Sequence, residues 1–203
     1  GIVGQDAYSK LYCDAATWLK RGYIDYISPQ LYWPSLASSP NYSSGQDYET
    51  LCEWWSELAN KYNRPLFTSN DVAKNDNGRF NPPADITNQI NVNRTDDKAK
   101  GTIFYNNTYW QNRNGANTYF DSNDEGYFTY LPENHFHHIA LWPSTSHRRA
   151  PSAPDITNLS LDKNKHTLSW ECTKENYRFA IYCYDTILSQ SQGCKPENLL
   201  GIT

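Results

Sequence analysis

The sequence predicts an α/β fold over residues 1–146, a linker over 147–154 and a short all-β segment over 155–203. Three observations carry this. Three apolar runs rich in β-branched and aromatic residues, 24–33 (IDYISPQLYW), 65–72 (PLFTSNDV) and 101–106 (GTIFYN), alternate with stretches whose apolar residues recur at helical spacing. Alternation of that kind is the mark of a parallel sheet built from βαβ units. The run HRRAPSAP reads as an extended linker. Beyond it, ITNLSLD, HTLSW and RFAIYCYD are short strands between polar turns, in only about 50 residues, which is thin for an independent β-sandwich.

Taken in order, residues 6–21 place Tyr8, Leu11, Tyr12, Ala15 and Leu19 mostly three or four apart, with Lys20 and Arg21 in the last turn and Gly22 beyond. This predicts one amphipathic helix with a glycine stop. The strand 24–33 follows, bounded by Gly22 and Pro34, and then a long loop of Ser, Pro, Asn and Gly over 34–46. Asp47 is placed to cap a helix whose Leu51, Trp54, Trp55, Leu58 and Tyr62 form a wide apolar stripe, with both tryptophans expected in the helix–sheet core. A second strand ends at Asn70 and Asp71, Pro82 and Pro83 open a helix carrying Ile86 and Ile90, and a third strand ends at Tyr105 and Asn106. A short helix is expected around 123–130.

The composition narrows the function classes. A formal charge of −4 argues against a nucleic-acid footprint, and no apolar run reaches the length of a membrane span. The chain holds 16 Tyr, 7 Trp and 7 Phe, which suits stacking on sugar faces, since Tyr and Trp combine an apolar body with a polar tip; a Tyr-rich core and surface would give the same count. The five cysteines, Cys13, Cys52, Cys172, Cys183 and Cys194, show no metal-ligand spacing and at most one pairing among the last three. Gly1 in the place of an initiator methionine, with no signal-like segment, leads one to expect an excised piece.

Ligands of parallel α/β sheets sit at the carboxyl ends of the strands. That rule selects Gln30, Tyr32 and Trp33 from the first strand, Asn70 from the second, and Tyr105 and Asn106 from the third as candidate carbohydrate-contacting residues. Asp71 is the one carboxylate at a predicted strand end, placed for general acid/base work or for capping a turn, whereas Asp25 lies at the opposite end and reads as structural. Glu133, His135, His137, His138 and His147 gather near the linker, but HxHH is not a strong ligand pattern; no metal and no cofactor are expected. Asn41, Asn93, Asn106 and Asn158 each begin an N-x-S/T sequon, as chance alone would give in so Asn-rich a chain.

The segments carrying Asp14, Ala15, Trp18 and Leu19, then GYIDYISPQLYW, DYETLCEWWSEL, Pro65-Leu66, QINVNR and GTIFY together resemble the carboxyl-terminal half of the glycosyl hydrolase-like 10 family over roughly residues 1–145. PSAPDITNLSLD with HTLSW and RFAIYCY is similar, more weakly, to the fibronectin type III-like domain that often follows in that family. The resemblance implies a partial TIM (β/α)8 barrel made of about its last three βα units, plus a truncated β-sandwich. It further implies a secreted or periplasmic bacterial glycosidase acting on a polysaccharide such as peptidoglycan glycan strands. Glycosidases use a pair of carboxylates, and related barrels carry at least one on the fourth or fifth strand, so this chain alone is expected to be inactive. The rival expectation is a non-catalytic carbohydrate-binding or adhesion protein on the same scaffold. A half-barrel would expose a strand edge and its lumen side, which implies as partner either a second copy or the missing amino-terminal half.

Overall fold

The computed structural model describes residues 6–72, 80, 83–106, 127–143, 152–175, 177–186 and 195–203. The chain divides into two compact units, one of Gly1–His137 with Pro143–His147 and one of His138–Trp142 with Arg148–Thr203. The expected linker falls largely outside the described residues.

The first unit opens with two helices where one was expected, α1 (Ala7–Leu11) and α2 (Ala15–Arg21). Tyr12 turns into the left-handed region at φ 54° and ends α1, and Asp14 restarts the chain by accepting the Thr17 N–H at 3.0 Å. The expected stop holds at Gly22, whose φ of 69° is a conformation that glycine adopts without a Cβ penalty. Residues 27–31 then pair in parallel with the next strand through bridges from Ile27 to Leu66 and from Gln30 to Ser69. After the loop, Asp47 caps α3 (Tyr48–Lys61), accepting from the Thr50 N–H at 3.0 Å and from its hydroxyl at 2.9 Å. β1 (Phe67–Asp71), α4 (Ala84–Arg94) and β2 (Gly101–Tyr105) follow, with β2 parallel to β1 from the Phe67↔Gly101 to the Asp71↔Tyr105 pairing. α5 (Tyr127–Asn134) overlaps the helix expected around 123–130 and ends four residues beyond it; positions 123–126 lie outside the described residues.

Three parallel segments, each separated from the next by a helix, therefore stand in chain order, with β1 in the middle. Alternation of side chains divides their faces. Ile27, Leu31 and Leu66 turn toward the helices and join Leu51, Cys52, Ala59 and Val92 in one core cluster, while Val72, Ile86, Ile90, Tyr127 and Leu131 form a second. Trp55 packs against the first cluster, but Trp54, expected beside it, is exposed and meets only the edge of Trp55, at 4.7 Å between ring centres and 84° between planes. Two adjacent helix positions are 100° apart, so a single sheet cannot take both indoles. Among the described residues the strands form small sheets and no closed barrel.

The second unit pairs β3 (Ile156–Asp162) with β4 (Thr167–Cys172), and β5 (Ala180–Tyr182) with β6 (Leu199–Ile202), both antiparallel. Cys172 and Cys183 are free thiols, and Cys194 lies outside the described residues.

Candidate functional site

The sheet face opposite the helices carries Tyr26, Gln30 and Tyr32 from the first segment, Phe67, Ser69 and Asp71 from β1, and Ile103 and Tyr105 from β2. Contacts across the strands fix this assignment: Tyr26 meets Phe67 edge-on at 5.4 Å, and Tyr32 OH lies 3.4 Å from Ser69 Oγ. At the carboxyl end of the face, the rings of Tyr32 and Tyr105 lean together across the central strand, 5.9 Å apart and 32° from parallel. Gln30 is exposed one pleat earlier, level with Ser69. Tyr105 is half open at 52% exposure, while Asp71, its register partner, keeps 6%. Burial raises the pKa of the Tyr32 phenol, the Ser69 bond opposes that, and the neighbouring Asp71 and Tyr105 add to it, so the phenol stays protonated well into alkaline solution.

The structure thus brings Gln30, Tyr32, Asp71 and Tyr105 onto one surface and turns Trp33 and Asn70 away from it. The reason is the strand period of two: neighbours in YW and in ND cannot face the same way. Trp33 packs half-buried against the helix-side core. Asn70 is 0% exposed and donates to Gln89 Oε1 at 2.7 Å and to Tyr48 OH at 3.2 Å, so its amide is used inside the fold. Asn106 follows β2 and is half-buried.

Beneath the site, on the helix side, runs a buried polar network. Tyr48 OH donates to Asn93 Oδ1 at 2.8 Å, and Asn93 Nδ2 donates to the hydroxyls of Thr68 at 2.7 Å and Thr102 at 3.0 Å. Asn93 is therefore a structural amide, not an accessible sequon. Gln89 Nε2 donates to the carbonyl of Trp33 at 2.9 Å. One turn earlier on α4, the Asp85 carboxylate accepts from the Ser35 N–H at 2.7 Å, the Leu36 N–H at 3.0 Å, the Ser35 hydroxyl at 3.0 Å and the Ser39 hydroxyl. Asp85 thereby ties down the loop that leaves the site strand. Neither Asp85 nor Gln89 was selected from the sequence; their i, i+4 spacing reads as a solvated stripe until the loop is seen folding over it.

His135, one of the histidines whose HxHH spacing is not a strong ligand pattern, lies 3.3 Å from Thr87 Oγ1 and edge-on to Tyr130. Groups of three or more His, Cys, Asp or Glu placed to hold a metal are absent among the described residues. No helix among them is long and apolar enough to cross a membrane.

Comparison with known proteins places the chain near glycosyl hydrolases. It is 29% identical, over 98% of its own length, to glycosyl hydrolase YngK of Bacillus subtilis (strain 168), of which it covers 37%. It is 25% identical over 52% of its length to glycosyl hydrolase DigH of Escherichia coli (strain K12) and of Shigella flexneri, covering 25% of each. The chain thus spans between a quarter and two-fifths of the curated relatives it matches. No family model matches it, and no solved structure does.

Proposed function

We propose that the chain forms part of a glycoside hydrolase acting on a polysaccharide, with peptidoglycan glycan strands as the substrate class, in a secreted or cell-envelope protein. The names of the relatives support a hydrolase relationship and a carbohydrate substrate. In this reading the parallel segments are late strands of a (β/α)8 barrel of the glycosyl hydrolase-like 10 family, and the second unit is a partial fibronectin type III-like domain. The observation that carries the proposal is the convergence of Gln30, Tyr32, Asp71 and Tyr105 at the carboxyl ends of three parallel segments, where α/β barrels build their sites.

The tilted pair Tyr32–Tyr105 offers an apolar surface for a pyranose ring, and Gln30 offers an amide to its hydroxyls. Asp71 supplies one carboxylate. Glycoside hydrolysis takes two, one protonating the leaving oxygen and the other acting as nucleophile or base, and the second is assigned to barrel strands outside this chain.

The test is titration of the folded chain with chito-oligosaccharides and muropeptide-derived glycans, followed by NMR. Tyr32→Ala and Tyr105→Ala should each weaken binding about tenfold, the loss of one stacking contact of roughly 1.4 kcal/mol. Asp71→Asn should leave binding near wild type and abolish hydrolysis in the longer protein. Hydrolysis that survives Asp71→Asn leaves a carbohydrate-binding role for this face, and sugar-induced shifts confined to other surfaces would remove the site altogether.

A further inference from the structure

We infer that Gln89 is a positioning residue that sets the spacing between Tyr32 and Asp71. The inference rests on the reading of their shared face as a glycan site. Gln89 is fully buried on α4 and uses both ends of its amide. Its Oε1 accepts from Asn70 Nδ2 at 2.7 Å, and its Nε2 donates to the Trp33 carbonyl at 2.9 Å. Asn70 precedes Asp71 and Trp33 follows Tyr32. One rigid planar group on the helix side thus spans the ends of two neighbouring strands at the residues flanking the two site groups on the opposite side. Asn70 is held in turn by Tyr48 OH, which donates to Asn93, so the bridge is anchored to α3 as well as α4.

The geometry leaves little freedom to a substitute. A side chain here must accept on one side and donate on the other, which an amide does at any pH. A catalytic or stacking constellation needs its members held to within about 0.5 Å, and residues that touch no substrate supply that by locking the ones that do. Removing the bridge takes one N–H partner from the buried Asn70 amide and the Gln89 donor from the Trp33 carbonyl, and lets the strand ends drift.

Gln89→Leu and Gln89→Glu in the full chain test this. A protonated glutamate presents a carbonyl oxygen to Asn70 and an O–H to Trp33; an ionised one can only accept, and faces the Trp33 carbonyl without a donor. The leucine variant should shift the Trp33 carbonyl 13C resonance and weaken chito-oligosaccharide binding about tenfold at every pH. The glutamate variant should bind like wild type in acid and weaken as its buried carboxyl ionises. The same series on wild type subtracts the titration of Tyr48 on α3, of Asp85 one turn away on α4 and of Asp71 on the opposite face of the sheet. Wild-type affinity and Trp33 shift in both folded variants would overturn the inference, as would a moved Trp33 shift with unchanged affinity. If the wild-type chain binds none of the oligosaccharides, the glycan reading fails on its own. The positioning role is then read without ligand from the Tyr32 phenol titration, which Gln89→Leu must move toward the ordinary tyrosine value as the strand ends part and the phenol loses burial first and the nearness of Asp71 second; an unmoved titration overturns it.

Discussion

Replacing Asp85 of α4 by alanine should be the single change most damaging to the anchoring of the loop that leaves the site strand. The carboxylate accepts two backbone N–H groups, from Ser35 at 2.7 Å and Leu36 at 3.0 Å, and two serine hydroxyls. The Ser35 hydroxyl keeps an alternative in the main-chain carbonyl of position 85 at 3.0 Å, but the two amides have no such recourse. Stranding a buried donor costs about 1–3 kcal/mol, in full for Ser35 and in part for the half-buried Leu36, so the pair accounts for about 2–5 kcal/mol. Losing a negative charge in the first turn of α4 adds about 0.3–1 kcal/mol, and a water entering the vacated space offsets part of the total. We expect about 3–5 kcal/mol for Asp85→Ala. Asp85→Asn should cost only about 1 kcal/mol, because Oδ1 still accepts both amides and the new NH2 can donate to Ser39; what is lost is charge assistance. Urea unfolding midpoints measure both, and hydrogen exchange at Ser35 and Leu36 should accelerate in the alanine variant alone. An alanine variant within about 1 kcal/mol of wild type, or an asparagine variant as unstable as the alanine one, would refute the argument that acceptor geometry at this site governs the loop.

Two further outcomes follow from titration and burial. Burial pushes the Cys52 thiol up to about 12, so in the native protein a thiol reagent should label the exposed Cys183 and leave Cys52 silent until denaturant is added; rapid native labelling of Cys52 would contradict its place in the core. Burial, then the charges of Arg94 and His137, hold His135 below its ordinary value of 6.5, so the fold favours the neutral ring. Its contribution is present above about pH 6.5 and declines as the pH falls below that toward the lowered folded value; stability between pH 7 and 5 should vary less in His135→Gln, and equal slopes would argue against it.

The strands and most helices were legible because their signals are local. IDYISPQLYW, PLFTSNDV and GTIFYN carry β-branched and aromatic runs between turn residues, Asp47 announces the start of α3 and Gly22 the end of α2. The break at Tyr12 was not legible, since apolar spacing runs through it and only the left-handed backbone there shows that α1 stops. The end of α5 at Asn134, beyond the expected Tyr130, reflects the same weakness of boundaries, which periodicity fixes less firmly than existence.

What the sequence determined by itself is the order of strand and helix, the strand ends at which polar and aromatic residues gather, and the likeness to glycosyl hydrolases. Tertiary structure decided which of those residues share a surface. Alternation allows Tyr32 or Trp33, Asn70 or Asp71, on a given face, and the choice falls to whichever neighbour finds partners among the helices: Trp33 in an apolar cluster, Asn70 between Tyr48 and Gln89. Tertiary structure also turned Asp85, Gln89 and Asn93 inward. A polar stripe on a helix is solvated unless loops and neighbouring strands bring matching donors and acceptors to it, and those partners lie 19 to 56 residues away along the chain for Gln89 alone. No local window holds them.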